Sequence, residues 1–276
     1  MNIESDVAGH YAHGALAQAI NQALAAAGKD PDRLTPADLA PVDEFHIGGG
    51  EATAALFAPL GLRAGMRWLD IGSGLGGPAR HLAAIYGCRV SGIDLTPEYV
   101  EVASDLARRV GLQGLVDFRQ GSALALPFPD ASFDGASLLH VGMNIPDKPA
   151  LSAGVRRVLR PGGIFAIYDV MRLADGDLAF PLPWAAGPAT SFVATPADYR
   201  AALAASGFTI QAERNRAAFA LESLRALQAR VAAEGRPALG LHILMGENAR
   251  QKTGNLVQSL ERGLVAPMEI IARAPD

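Results

Sequence analysis

From residue 67 onward, short apolar runs alternate with stretches of helical spacing. Arg67-Trp-Leu-Asp-Ile is the first run; it ends in glycines and is followed by a helical pattern over 78–86. Residues 89–93 form a second run closed by Asp94, with a helical pattern over 98–110 behind it. Residues 115–119, 135–139 and 163–169 read as a third, fourth and fifth strand, the fifth preceded by a helix over 148–159. A helix over 197–206 leads to a further strand at 208–213, and 264–272 reads as the last. Strands alternating with helices of ten or so residues predict an α/β fold, a doubly wound parallel sheet covered on both faces.

Three segments exceed what a minimal sheet needs. The opening forty residues place Leu16, Ile20 and Leu24 at helical spacing, stop at Gly28-Lys-Asp-Pro-Asp, and are then interrupted by Pro31, Pro36 and Pro41. Residues 171–195 are rich in Pro and Gly and contain Pro181-Leu-Pro-Trp184, the signature of a shaped loop. Residues 216–263 read as two helices broken at Gly235-Arg-Pro237. The expected organisation is therefore a helical lid over 1–45 and an α/β core over 46–213 with 171–195 as its cap loop. A second helical lid follows over 214–263, and 264–276 supplies the last core strand.

Composition narrows the class. Half of the 276 residues are hydrophobic and 19% are charged, enough apolar material for a sizeable core. With 24 Lys and Arg against 28 Asp and Glu the net charge is −4, which argues against a nucleic-acid partner or an anionic membrane surface. Cys88 is the single cysteine, so neither an internal disulfide nor a multi-cysteine zinc site is available. The first residues are acidic where a secretion signal would be basic and then apolar, and no apolar run is long enough to span a bilayer. A cytoplasmic protein with no integral membrane association is expected.

The densest signal is Leu69-Asp-Ile-Gly-Ser-Gly-Leu-Gly-Gly-Pro78. Glycines at 72, 74 and 77 let the chain turn sharply and approach a ligand, with free N–H groups of the next helix behind them. The rival reading is a glycine turn that only closes a tight connection. Asp94 ends the second strand 20 residues after Gly74, where a carboxylate accepts from both ribose hydroxyls of an adenosine; the rival role is a helix cap ahead of Thr96-Pro97. Together the two motifs point to an adenosine-containing ligand. Asp70, where a nicotinamide-binding strand is more often apolar, could hold the ammonium of an amino-acid-bearing cofactor.

With Leu126-Pro-Phe-Pro-Asp-Ala-Ser-Phe-Asp134 and Leu159-Arg-Pro-Gly-Gly163 added, the order of motifs from about residue 45 to 213 resembles the class I S-adenosylmethionine-dependent methyltransferases. The resemblance implies a Rossmann-like seven-stranded sheet with one antiparallel strand, S-adenosyl-L-methionine as cofactor and S-adenosyl-L-homocysteine as product. Phe45-His-Ile-Gly-Gly-Gly-Glu-Ala-Thr53 and Tyr11-Ala-His-Gly14 are similar to the small-amine branch, the phosphoethanolamine and sarcosine/dimethylglycine N-methyltransferases, with sterol and tocopherol C-methyltransferases as relatives. By that resemblance Phe45, His46, Gly48, Asp70, Gly72, Ser73, Gly74, Asp94, Leu95, Ala123 and Leu139 hold the cofactor, and Tyr11 and His140 form a catalytic latch. One departure stands out. Where many members carry an acid after the third strand to bond the adenine amine, this chain has Gly121-Ser122-Ala123, leaving Ser122 as a weaker acceptor at that place.

His140, at an ordinary pKa of about 6.5, would take a proton from an amine acceptor; alternatively it is a satisfied core histidine, and Tyr11 a surface aromatic. Met143 and Asn144 follow on the loop facing the methyl group, with turn duty the rival for Asn144. Trp184 lines a pocket or pins its loop, and His242 and Met245, in an apolar helical stretch, either reach substrate or belong to the core. The six histidines show no metal-ligand spacing, so no metal is expected. The leading functional expectation is N-methylation of a small amine or amino acid. C-methylation of a prenyl, quinone or sterol-like acceptor, S-methylation, and a non-catalytic cofactor-binding scaffold are the alternatives. The expected partner is a small-molecule acceptor, and a homodimer stays open.

Overall fold

The computed structural model describes residues 3–276; residues 1 and 2, the start of the expected N-terminal lid, lie outside the described residues. Before the sheet come α1 (Ile3–Tyr11), α2 (Leu16–Ala26), α3 (Pro36–Asp43) and α4 (Gly49–Phe57). The core then runs β1 (Arg67–Ile71), α5 (Gly77–Tyr86), β2 (Arg89–Asp94), α6 (Pro97–Arg109), β3 (Val116–Gln120), β4 (Phe133–Leu139), α7 (Lys148–Val158) and β5 (Leu159–Arg172). After it come α8 (Pro196–Ala205), β6 (Thr209–Asn215), α9 (Ala217–Glu234), α10 (His242–Met245), α11 (Ala249–Glu261) and β7 (Val265–Arg273).

Among the described residues the strands form one seven-stranded sheet in the order β3-β2-β1-β4-β5-β7-β6. β1 to β5 pair in parallel, and β7 lies antiparallel between β5 and β6. Strand order reverses between β1 and β4, so the crevice beyond their carboxyl ends is where an open sheet of this kind accepts a ligand. Alternation along β1 sorts the faces: Leu69 and Ile71 pack with Leu151 and Val155 of α7 and Leu203 of α8, while Trp68 packs with Phe57 of α4 and Leu82 of α5. Both faces of the central strands are covered, as their near-continuous apolar runs require, while the edge strands β3 and β6 are largely exposed.

Two differences from the sequence expectation shape the segments over the sheet. β5 continues past 169, because Met171 and Arg172 still pair with Ala266 and Val265 of β7, so the cap loop opens at Leu173 rather than 171. Between α9 and α11 the short α10 adds a third helical piece after the predicted break, where Leu241 and Leu244 pack onto α2 and α3. No helix among the described residues is long and apolar enough to cross a membrane.

The packing at β4 leaves no room beside Trp68, whose ring is fully buried and whose Nε1 donates to Ser137 Oγ at 3.0 Å. A Cβ on Gly135 would lie 2.1 Å from that ring, whereas one on Gly154, inside α7, would meet nothing closer than 3.9 Å. Gly135→Ala should lower stability by about 1–3 kcal/mol; Gly154→Ala should raise it by about 0.4–1 kcal/mol. Urea unfolding midpoints at unchanged slope check both signs.

Candidate functional site

The site begins at the turn after β1. Gly72 and Ser73 both donate to the Ile93 carbonyl, at 2.8 and 3.0 Å, and Gly74 donates to Asp94 Oδ2 at 2.9 Å. Gly72 is required twice over: its φ is +68°, and a Cβ there would lie 2.3 Å from Val141. Asp94 Oδ1 accepts from Thr96 N at 2.9 Å, so this carboxylate secures both the glycine turn and the entry to α6. Each oxygen keeps acceptor capacity, and the capping role does not displace a ligand-binding one.

Strand order then fixes a sequence of ends along one cavity. Gly121, Ala123 and Leu124 lie past β3, Asp94 and Leu95 at the end of β2, Asp70, Gly72, Ser73 and Gly74 at the end of β1, and Leu139, His140, Met143 and Asn144 at the end of β4; all line it. Phe45 and His46 close one wall. The roof is apolar: Val7 of α1, Leu224 and Leu227 of α9, Leu244 and Met245 of α10, Leu256 of α11, and Pro183 and Trp184 of the cap loop.

His140 sits in left-handed backbone at φ +54°, a conformation histidine tolerates better than most side chains. With Nδ1 as the donor to the Tyr168 carbonyl at 3.1 Å, Nε2 is left to accept from Ile47 N at 3.4 Å. Burial, with His46 alongside, takes its pKa down to about 3, and burial takes His46 to about 4. The ordinary pKa expected of His140 is thereby corrected: the ring is neutral at pH 7 but a weak base, and it ties the 45–48 segment to β5.

The expected latch is also redrawn. No hydrogen bond among the described residues joins Tyr11 to His140; the Tyr11 hydroxyl donates instead to Asn144 Oδ1 at 2.9 Å. Asn144 Nδ2 in turn donates to Trp184 O at 2.8 Å and Thr190 O at 3.0 Å, so one side chain joins α1, the loop after β4 and the cap loop. Trp184 both lines the cavity and pins its loop, Nε1 donating to Ser191 Oγ at 2.9 Å. Three expected site residues stand away from the cavity lining. Gly48 adopts φ +87° ahead of α4, where a Cβ would strike the Phe219 ring at 2.4 Å. Ser122 turns its hydroxyl to Glu4 and accepts from Leu124 N at 3.0 Å. His242 packs beside Gly240.

Sequence reasoning did not single out Glu4, Val7, Asp43, Tyr99, Leu224, Leu227 or Leu256, all of which line the cavity. Tyr99 had a local signal, one helical turn after Asp94; the others come from distant segments. Asp70 Oδ2, Ser73 Oγ and the Tyr99 hydroxyl are buried without a protein partner, a cost of about 1–3 kcal/mol each unless a ligand meets them. Asp70 Oδ1 accepts from Ser137 Oγ at 3.0 Å, so Oδ2 remains for an ammonium. These orphaned atoms fit S-adenosylmethionine. Among the described residues no group of three or more His, Cys, Asp or Glu is placed to hold a metal ion.

The family model described as a methyltransferase domain matches residues 69–167, the stretch from the glycine turn through β5. Residues 69–167 are a class I methyltransferase domain. A sterol 24-C-methyltransferase of Gibberella zeae is 37% identical over 110 residues, 40% of this chain and 29% of that protein. The chain spans less than half the length of the curated relatives it matches. Geranyl diphosphate C-methyltransferase from Streptomyces coelicolor A3(2) shares the fold with a TM-score of 0.71 at 16% identity, covering 99% of this chain and 98% of that one. Haemonchus contortus phosphoethanolamine N-methyltransferase 2 gives 0.70 at 20% identity, covering 85% and 54%.

The two cavity histidines, His46 and His140, should stay neutral throughout the physiological range. Their ring proton signals in NMR should not shift between pH 5 and 8, and a midpoint near 6.5 for His140 would contradict the arrangement.

Proposed function

We propose that the protein transfers a methyl group from S-adenosylmethionine to carbon of an uncharged, largely apolar small molecule. The observation that carries this reading is the acceptor side of the cavity, walled by Val7, Leu224, Leu227, Leu244, Met245 and Leu256. No Lys or Arg lines it among the described residues, which favours an uncharged acceptor over a phosphorylated one. The similarity to a sterol C-methyltransferase supports the same choice.

When bound, the cofactor supplies a methyl group on a sulfonium, an electrophile whose leaving group is a neutral thioether. The protein's own part is alignment and exclusion of water, and orientation of this kind contributes on the order of 7–11 kcal/mol. Basicity discriminates between acceptors. An amine arrives protonated and needs a base, yet Tyr11 keeps its proton because burial and the nearby Asp94 and Asp169 raise its pKa, and His140 is a weak base. An alkene carbon needs none to attack. The carbocation it becomes is so strong an acid that a weak acceptor such as a carbonyl or phenol oxygen removes its proton. Aromatic faces at Tyr11 and Trp184 favour a developing cation on the substrate.

Purified protein given methyl-labelled S-adenosylmethionine should label a pool of sterols, prenyl alcohols and quinones rather than pools of small amines, amino acids or prenyl diphosphates. Label in the amine pool alone would overturn the carbon reading and restore the N-methylation expectation.

Asp70 adds a pH signature. Burial, with Asp94 nearby, lifts its pKa to about 7, so below that pH the carboxyl is mostly protonated and cannot pair with an ammonium. Affinity for S-adenosylmethionine should therefore rise between pH 6 and 8 and level off above. Asp70→Asn should flatten that rise and weaken binding about tenfold. Calorimetric titrations across this range measure both, and a flat wild-type profile would remove Asp70 from the ligand contact.

A further inference from the structure

We infer that Glu4, on the first helix, is the carboxylate that recognises the adenine amino group of the cofactor, in place of an acid after β3. The inference rests on the S-adenosylmethionine reading above. With the ribose at Asp94 and the amino-acid tail at Asp70, the order of strand ends leaves the base over the end of β3. There Ile93, Leu95, Ala123 and Leu124 line the cavity and supply flat apolar contact but no side-chain acceptor. The adenine amine is a donor of two hydrogens, and burying it unpaired against these groups is costly.

Ser122 does not meet that need, because it stands off the cavity lining. Its oxygen accepts from Leu124 N at 3.0 Å, and its hydrogen is directed to Glu4 Oε1. Glu4 does line the cavity, and it reaches this end across 118 positions of sequence. A carboxylate offers about four acceptor positions, and the bond from Ser122 takes one of them and orients Glu4. The serine thus acts as a positioning residue for an acid delivered by another element.

The consequence reaches the other end of the crevice. Glu4 and Tyr11 lie on one helix, about 10 Å apart at the helical rise, with Val7 between them on the same cavity. Tyr11 meets Asn144 beyond β4. Reading the base with Glu4 therefore seats the helix that carries Tyr11 over the acceptor side. Beyond α1 the chain is anchored where Glu98 accepts from His13 N, Gly14 N and Leu16 N at 2.7, 2.9 and 2.8 Å.

The test is calorimetric, comparing S-adenosylhomocysteine with S-inosylhomocysteine, whose 6-oxo group replaces the amine. Wild type should prefer the adenosine compound by tenfold or more, the size of a charge-assisted hydrogen bond. Glu4→Ala should lose about tenfold for S-adenosylhomocysteine and leave S-inosylhomocysteine unchanged. Glu4→Gln keeps an acceptor and adds a donor for the 6-oxo group, so the preference should collapse, with S-inosylhomocysteine binding tighter than it does to wild type. Matching thermal unfolding of the variants excludes a folding defect. An unchanged preference in Glu4→Gln, or no preference in wild type, overturns the role of Glu4 and leaves the cofactor reading standing. No binding of S-adenosylhomocysteine by wild type overturns both.

Discussion

Two consecutive N–H groups, those of Gly72 and Ser73, converge on the one carbonyl of Ile93, and the next, Gly74, goes to the carboxylate of Asp94. Three donors of a tight turn are thereby held by the end of the neighbouring strand, without a side chain from the turn itself. Everything on the ligand side takes its position from this hold. It sets where α5 starts, it brings Val141 against Gly72 so that no larger residue fits, and it leaves Asp70 and Ser73 facing inward with atoms unmet by protein. Because these groups sit on strand ends rather than on a free loop, their spacing is as rigid as the sheet.

The segments over the crevice are tied to that same frame. Asp43, at the end of α3, pairs with Arg80 of α5 at 2.6 Å, and the Arg80 guanidinium also donates to Leu75 O at 2.6 Å and Ala103 O at 3.3 Å. A buried ion pair gains little net stability over apolar packing, since both charges lose water, but breaking one is costly. Its effect here is positional: the N-terminal segment is joined to the helix that starts at the glycine turn. Glu44 belongs to the same buried group, its pKa raised to about 8 by burial and by Asp43, and its carboxyl accepts from Thr53 at 2.7 Å. The opposite rim is built separately, by the cap loop packed with α9, α11 and Met143.

What the sequence made legible follows from the range of the interaction. The strand-and-helix alternation, the glycine turn and Asp94 are local patterns, each written within a few residues, and the fold is readable from them. The roof was readable only as material, residues 1–45, 171–195 and 216–263, because which side chains reach the cavity depends on how helices from both termini cross the crevice. Val7, Leu224 and Leu256 carry no local mark that separates them from core positions. Tyr11 shows the same limit differently: its importance was visible, its partner was not. The bond spans 133 positions and goes to Asn144, since His140 faces Tyr168 and Ile47. The missing acid after β3 was a visible departure, but its counterpart at position 4 could only be found in three dimensions.

The charges along the cavity are unevenly shared, and the reaction gives that unevenness a use. Asp43, Asp70 and Asp94 gather around the cofactor half, while the acceptor half offers aliphatic and aromatic surface and neutral histidines. On the proposed reading Asp70 and Asp94 would hold the cofactor from one side, and the sulfonium it supplies would carry a positive charge. Carboxylates behind it favour its binding, and an apolar wall ahead of it offers its charge no counter-ion to rest against. Methyl transfer would leave the positive charge on a substrate bounded by the Tyr11 and Trp184 rings, away from those carboxylates.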